Sequence, residues 1–300
     1  MISIDSIKSY IPKSNLNIKK KYKNINKNFL IEKIGTNAVA RKRSNEDVVS
    51  MCIKAFKKLK NKKLPNLKVL ILCTQNPEKN GLPHNSAIIH AKLGLSESIA
   101  TFDISQGCAG YVYCLKVCEN FLNNNDQALI FTCDPYSKII KKGDFNTEIL
   151  FGDAATVSVI KKCNKGQIIK DYSFFSNTLN NKAINNFNGY LEMNGRGVMS
   201  FAEKYVEMEI KNILKKNKIS INDIDKFYLH QGSKHIVNKI TKILNVENTK
   251  VPLCIKNIGN TISSSIPILL EKDDFKKNKY SILCGFGVGL SISTCIIKKL

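Results

Sequence analysis

Apolar positions along the chain fall into two kinds of run. Leu67–Cys73 and Gln127–Cys133, with residues 280–284, are nearly continuous apolar stretches of strand length, as expected of strands covered on both faces. Between them lie segments with helical spacing: 46–60, Asn85–Leu93, 198–215, 236–244 and 262–270. In the third of these, Phe201, Tyr205, Met208, Ile210 and Leu214 make one apolar stripe. Ser44, with Asp47 three residues on, predicts the cap of the first helix, and Gly94 the end of the second. Shorter strands are predicted at 156–160, 225–229, 251–255 and 290–297, and the opening twelve residues alternate like an edge strand. Residues 19–28, 77–83 and 134–146, and the asparagine-rich stretch through 177–188, read as polar connections.

The second half of this pattern replays the first. Gly107-Cys108 pairs with Gly259-Asn260, the strand ending near Cys133 with the one ending near Cys284, and 156–160 with 291–297, each at a separation of roughly 150 residues. The expected architecture is α/β: buried parallel strands with helices on their faces, built from two duplicated halves, residues 1–165 and 166–300. In that frame Cys108 and Asn260 stand at equivalent helix starts, facing one another across a pseudo-twofold axis. His230 follows another strand end, and sites in such sheets lie outside strand ends.

Three hundred residues with 43% hydrophobic content can bury a substantial core. No stretch of eighteen apolar residues and no signal-peptide core is present, so a cytoplasmic protein without a membrane span is expected. The formal charge of +23 invites an acidic partner, but the lysines are spread evenly beside many asparagines, and no nucleic-acid-binding motif accompanies them. Nucleic acid is therefore not an expected partner. The ten cysteines sit mostly within apolar runs and form no Cys-x-x-Cys pair, which argues for reduced structural thiols and against both a disulfide framework and a metal site.

One cysteine stands apart. In Phe102-Asp103-Ile104-Ser105-Gln106-Gly107-Cys108-Ala109-Gly110-Tyr111 a short strand turns through small residues into a helix, and Cys108 sits at that turn. Backbone N–H groups and the helix dipole there favour thiolate over thiol, so Cys108 is the candidate nucleophile.

At these residues the sequence resembles the thiolase superfamily, and most closely its beta-ketoacyl-ACP synthase III members. The likeness rests on the Cys108 segment, Leu150-Phe151-Gly152-Asp153-Ala154-Ala155, Met193-Asn194-Gly195-Arg196-Gly197-Val198, His230-Gln231, Gly259-Asn260-Thr261 and the closing Gly285-Phe286-Gly287-Val288-Gly289, all in order. It implies a layered αβαβα fold and a homodimer that needs no cofactor. It also implies a Claisen condensation in which Cys108 takes an acyl group from acyl-CoA or acyl-ACP. His230 and Asn260 would bind the carbonyl of malonyl-ACP, and the N–H groups of Cys108 and Val288 would form the oxyanion hole. Phe286, Leu82, Lys33, Ser233 and Lys234 would contact substrate, with Leu82 reaching across the dimer interface. Lys234, Lys239 and Lys242 would offer a basic rim to acidic acyl carrier protein. Four departures bear on the donor: His235 replaces an arginine, Phe145 replaces another, Phe29 stands where a tryptophan is usual, and Val288 where glycine is. The alternative is an acyltransferase of the same fold that hands the acyl group to an alcohol or amine without decarboxylation.

Overall fold

The computed structural model describes residues 1–300, the side chain of Asn180 excepted. Nine strands form one mixed sheet: β1 (Ile2–Tyr10), β2 (Leu67–Cys73), β3 (Ala100–Ile104), β4 (Gln127–Cys133), β5 (Ala155–Lys162), β6 (Gln167–Ser176), β7 (Lys226–Leu229), β8 (Tyr280–Gly287) and β9 (Ser291–Lys299). Their spatial order is β7-β8-β9-β6-β1-β5-β4-β2-β3. The order mirrors itself about the β6–β1 junction, where one residue pair, Ser3 with Ile168, joins two half-sheets. β2 pairs parallel with β3 and β4, and β7 with β8, but the other ladders are antiparallel, so the sheet is not the parallel one expected from sequence.

Helices sort into three layers around these half-sheets. α1 (Val48–Lys57) and α2 (Asn85–Leu93) cover the outer face of the first, and α4 (Gly195–Lys216) with α5 (Lys234–Leu244) the outer face of the second. α3 (Gly110–Phe121) and α6 (Ser265–Lys272) lie between, each touching strands of both halves. The result is the αβαβα stack. A helix enclosed by two sheets must be apolar on nearly every side, and Tyr111, Val112, Cys114, Leu115 and Cys118 of α3 are fully buried. No helix among the described residues is long and apolar enough to cross a membrane.

Several boundaries differ from expectation for identifiable reasons. α1 is capped by Asp47, not Ser44: Asp47 accepts the Ser50 N–H at 2.6 Å and Ser50 Oγ returns the contact at 2.9 Å. Glu46 is instead turned inward, buried against Lys54 and Tyr10. Residues 251–255 make no strand, so the second half lacks a counterpart of β3. β6 went unread because a bulge opposite Ile296 and Ile297 breaks its period-two alternation. A hairpin of Ile184–Phe187 and Tyr190–Met193 begins within the asparagine-rich stretch through 177–188 and runs past its end.

The halves are also laced at loop level. Gly152 N–H donates to Asn260 O and Asn260 N–H to Leu150 O, both at 2.8 Å. A Cβ on Gly152 would overlap the Ile258 carbonyl oxygen and lie 2.9 Å from its carbon, a backbone obstacle that cannot rotate away. Gly152→Ala is expected to lower the unfolding free energy by about 3 kcal/mol or more, read from urea denaturation. Gly94→Ala, with open space around it and only a φ of +60° to strain, should cost about 1 kcal/mol.

Candidate active site

Cys108 lies in a single 3-10 turn, Gly107–Ala109, between β3 and α3, and is 5% exposed. The closing strand β8 presses against this turn. A Cβ on Gly285 would sit 2.5 Å from the Cys108 carbonyl oxygen, and one on Gly287 2.9 Å from Sγ, so only glycine permits the approach. The approach sets the Val288 and Cys108 backbone N–H groups where they favour negative charge on Sγ. Val288 itself lines the cavity.

The protonation state corrects the sequence reading. Burial, followed by the charge of Asp134, pushes the Cys108 thiol up to about 12, while the two N–H groups pull the other way. The resting group is the thiol, and the helix start stabilises negative charge only as it develops.

His230 ends β7 and is buried. Its Nδ1 lies 2.8 Å from the Ser265 hydroxyl, and the Ile262 backbone is a second partner of the ring; a donating Ser265 hydroxyl places the ring proton on Nε2. Burial lowers its pKa to about 3, so the imidazole is neutral at any working pH. Asn260 is fixed by a different contact: its Oδ1 accepts the Ile262 N–H at 2.9 Å, which leaves Nδ2–H₂ as the free end of the amide. Ile262 has φ +52°, a left-handed backbone that a β-branched residue adopts only under constraint.

The symmetry expected between Cys108 and Asn260 is offset. The second-half turn equivalent to Gly107–Ala109 is Ile262–Ser264, again leading directly into a central helix. Ser263 is therefore the counterpart of Cys108, and Asn260 lies three residues before it.

Cys108, His230 and Asn260 share one cavity of about 140 Å³ with Phe286, Met193 and Val198. Its walls are mostly apolar, and Phe286 stands edge-on to His230 at 5.5 Å between ring centroids. Ser233 lines the mouth and caps α5 through the Ile236 N–H. Lys234, paired with Glu32 at 3.0 Å, lines a separate groove outside the cavity with Lys19 and Lys256. Lys33 is exposed on the neighbouring π-helical turn, Phe29–Ile34. Leu82 is 83% exposed and lines no part of the cavity in the single chain.

Phe29, Phe145 and Asp153 are named in the sequence, but their partners and the role of Ser265 are not. Phe29 and Phe145 come together with Tyr22, Ile25, Lys21 and Lys23 around an open groove, and Tyr22 packs edge-on against Phe145. Asp153, in the Gly152-Asp153 motif, is buried with its oxygens taking the Lys42 and Ser137 N–H groups, a structural brace. Ser265 could have been flagged as a hydroxyl in a run of three serines entering an apolar helix.

A doubled αβαβα stack with a cysteine, a histidine and an asparagine on turns around one apolar cavity is the arrangement of thiolase-type, acyl-transferring condensing enzymes. The family model for 3-oxoacyl-[acyl-carrier-protein] synthase III matches residues 102–178, and the model for its C-terminal part residues 214–299. The chain is 30% identical over 280 residues to beta-ketoacyl-[acyl-carrier-protein] synthase III of Clostridium perfringens, covering 85% of each. It is 31% identical over 255 residues to that of Lactobacillus helveticus, covering 78% of this chain and 77% of the other. The crystal structure of 3-oxoacyl-[acyl-carrier-protein] synthase III from Aquifex aeolicus superposes with a TM-score of 0.91 at 23% identity, covering 99% and 100% of the two chains. The chain belongs to the 3-oxoacyl-[acyl-carrier-protein] synthase III family.

Proposed function

We propose that the enzyme acylates Cys108 from a thioester donor and condenses that acyl group with a malonyl unit on acyl carrier protein. In the first step the sulfur attacks the thioester carbonyl. The oxyanion takes the Cys108 and Val288 N–H groups, and the donor thiol leaves with the proton. In the second, the C–CO₂ bond of the malonyl thioester breaks, releasing carbon dioxide and leaving an enolate. His230 Nε2–H and Asn260 Nδ2–H₂ donate to its oxygen. The carbanion attacks the acyl-cysteine carbonyl, the C–S bond breaks, and 3-oxoacyl-ACP leaves as the thiol regains a proton. The observation that carries this reading is the convergence of one thiol and two neutral donors on a single apolar cavity.

The substrate carriers fit the surroundings. The aromatic groove of Tyr22, Phe29 and Phe145, flanked by Lys21 and Lys23, offers ring faces and cations to the nucleotide of an acyl-CoA. Lys19, Lys234 and Lys256, in the separate groove outside the cavity, suit an acidic carrier protein. The exposed Leu82 suits burial by a second subunit. The apolar wall at Phe286 disfavours the malonyl carboxylate and favours its loss as carbon dioxide.

Intact-protein mass spectrometry tests the reading. Incubation with a panel of acyl-CoAs and acyl-ACPs is expected to add one acyl mass, and malonyl-ACP should then discharge it with release of carbon dioxide. Discharge to an alcohol or amine with no carbon dioxide would establish the non-decarboxylating alternative, and no adduct with any donor would refute both.

A further inference from the structure

The mechanism above leaves one buried ionisable group unused. Asp134 follows β4, is fully buried, and has both carboxylate oxygens occupied. Oδ1 accepts the Gln75 N–H at 2.6 Å, and Oδ2 accepts the Ser263 hydroxyl at 2.5 Å, with the Ser263 N–H also directed to the carboxylate. Gln75 leads back to the nucleophile: its side-chain oxygen lies against Gly107 and accepts the Tyr136 hydroxyl at 2.8 Å, and Tyr136 lines the cavity. Ser263 leads to the other half: it follows Ile262, whose N–H holds Asn260 Oδ1. Asp134 thus bonds directly to the second-half counterpart of Cys108 and reaches the Cys108 turn through Gln75, while its charge is felt at Cys108 itself.

We propose that Asp134 is a positioning residue that ties the Cys108 turn to the Asn260 turn and sets how nucleophile and donor pair face one another. A carboxylate suits this place because it accepts from the Gln75 N–H and from Ser263 at once, whereas an asparagine there would present an N–H₂ to one donor. The inference rests on the condensing reading for its activity assays but not for its thiol chemistry.

Ser263→Ala and Asp134→Asn separate the link from the charge. Ser263→Ala breaks the link to the donor turn and keeps Asp134 bonded to Gln75. It is expected to lower malonyl-thioester decarboxylation about tenfold while Cys108 acylation stays within about twofold of wild type. Asp134→Asn removes the negative charge beside Cys108. Alkylation of Cys108 by iodoacetamide at pH about 8 is expected to speed up about threefold or more, with the rate profile displaced to lower pH. The other titratable groups facing the thiol, Cys73, Tyr136 and His230, are unchanged in both variants. Ser263→Ala should not displace that profile, which distinguishes charge from general loosening.

Equal loss of acylation and decarboxylation in Ser263→Ala, or no loss of either, would overturn the proposal. So would an unshifted alkylation profile in folded Asp134→Asn. Should Asp134→Asn fail to fold, the Ser263→Ala rate split decides alone. A wild-type protein that neither acylates nor decarboxylates would sink the condensing reading instead, and the alkylation comparison, which needs no substrate, would still judge Asp134.

Discussion

Cys108→Ser is expected to yield a folded protein that accumulates no acyl adduct and whose condensation rate is lower by on the order of 10⁴ or more. Serine matches the size of cysteine and keeps the backbone donors of Cys108 and Val288, so the oxyanion hole survives the change. What it loses is sulfur chemistry. The cavity already holds even the thiol in its protonated form, through burial and the Asp134 charge, and an alcohol there is far harder to deprotonate and a weaker nucleophile toward a thioester. Acyl uptake by mass spectrometry and carbon dioxide release measure the two losses separately. The variant also controls for background, because Cys163 and Cys254 are partly exposed and unchanged in it. An acyl adduct persisting in Cys108→Ser would move the nucleophile elsewhere.

The parts of this site legible in the sequence were those fixed by local chemistry. A cysteine at a strand-to-helix turn, a histidine closing a strand and a glycine-asparagine turn each follow from a few neighbouring residues. Their meeting followed from the duplication, and the structure brings all three to one cavity. Long-range bonding was not legible. Nothing near Ser263 says that its hydroxyl reaches Asp134, 129 positions away, and nothing near Asp47 says that Glu46 will turn inward to Tyr10 and free the cap for its neighbour. The pseudo-symmetry misled in one respect for the same reason. Matching Gly-Cys to Gly-Asn by residue type placed the equivalence three residues early, because backbone conformation aligns Gly107, at φ +55°, with Ile262, at φ +52°. The thiol's protonation reversed as well, since the helix start is visible in sequence and the burial that outweighs it is not.

His230→Ala and Asn260→Ala are each expected to lower malonyl-ACP decarboxylation by about 10²–10³ while Cys108 still acylates at near the wild-type rate. In the proposed mechanism acylation draws on backbone donors at Cys108 and Val288 and the enolate on the two side chains, so the steps are expected to fail independently. Asn260→Asp makes the sharper test. An aspartate retains the acceptor for the Ile262 N–H, preserving the turn, but replaces the free Nδ2–H₂ with an anionic oxygen facing the enolate. It should therefore decarboxylate more slowly than Asn260→Ala despite the smaller change in shape. Because burial holds His230 at about 3, the donor pair is uncharged throughout the neutral range. Lowering the pH from 7 to about 5 should give no acid limb that disappears in His230→Gln. Single-turnover acylation and carbon dioxide release, followed side by side, check these outcomes. Equal loss in both steps for either alanine variant would mean that the residue shapes the cavity and does not stabilise the enolate.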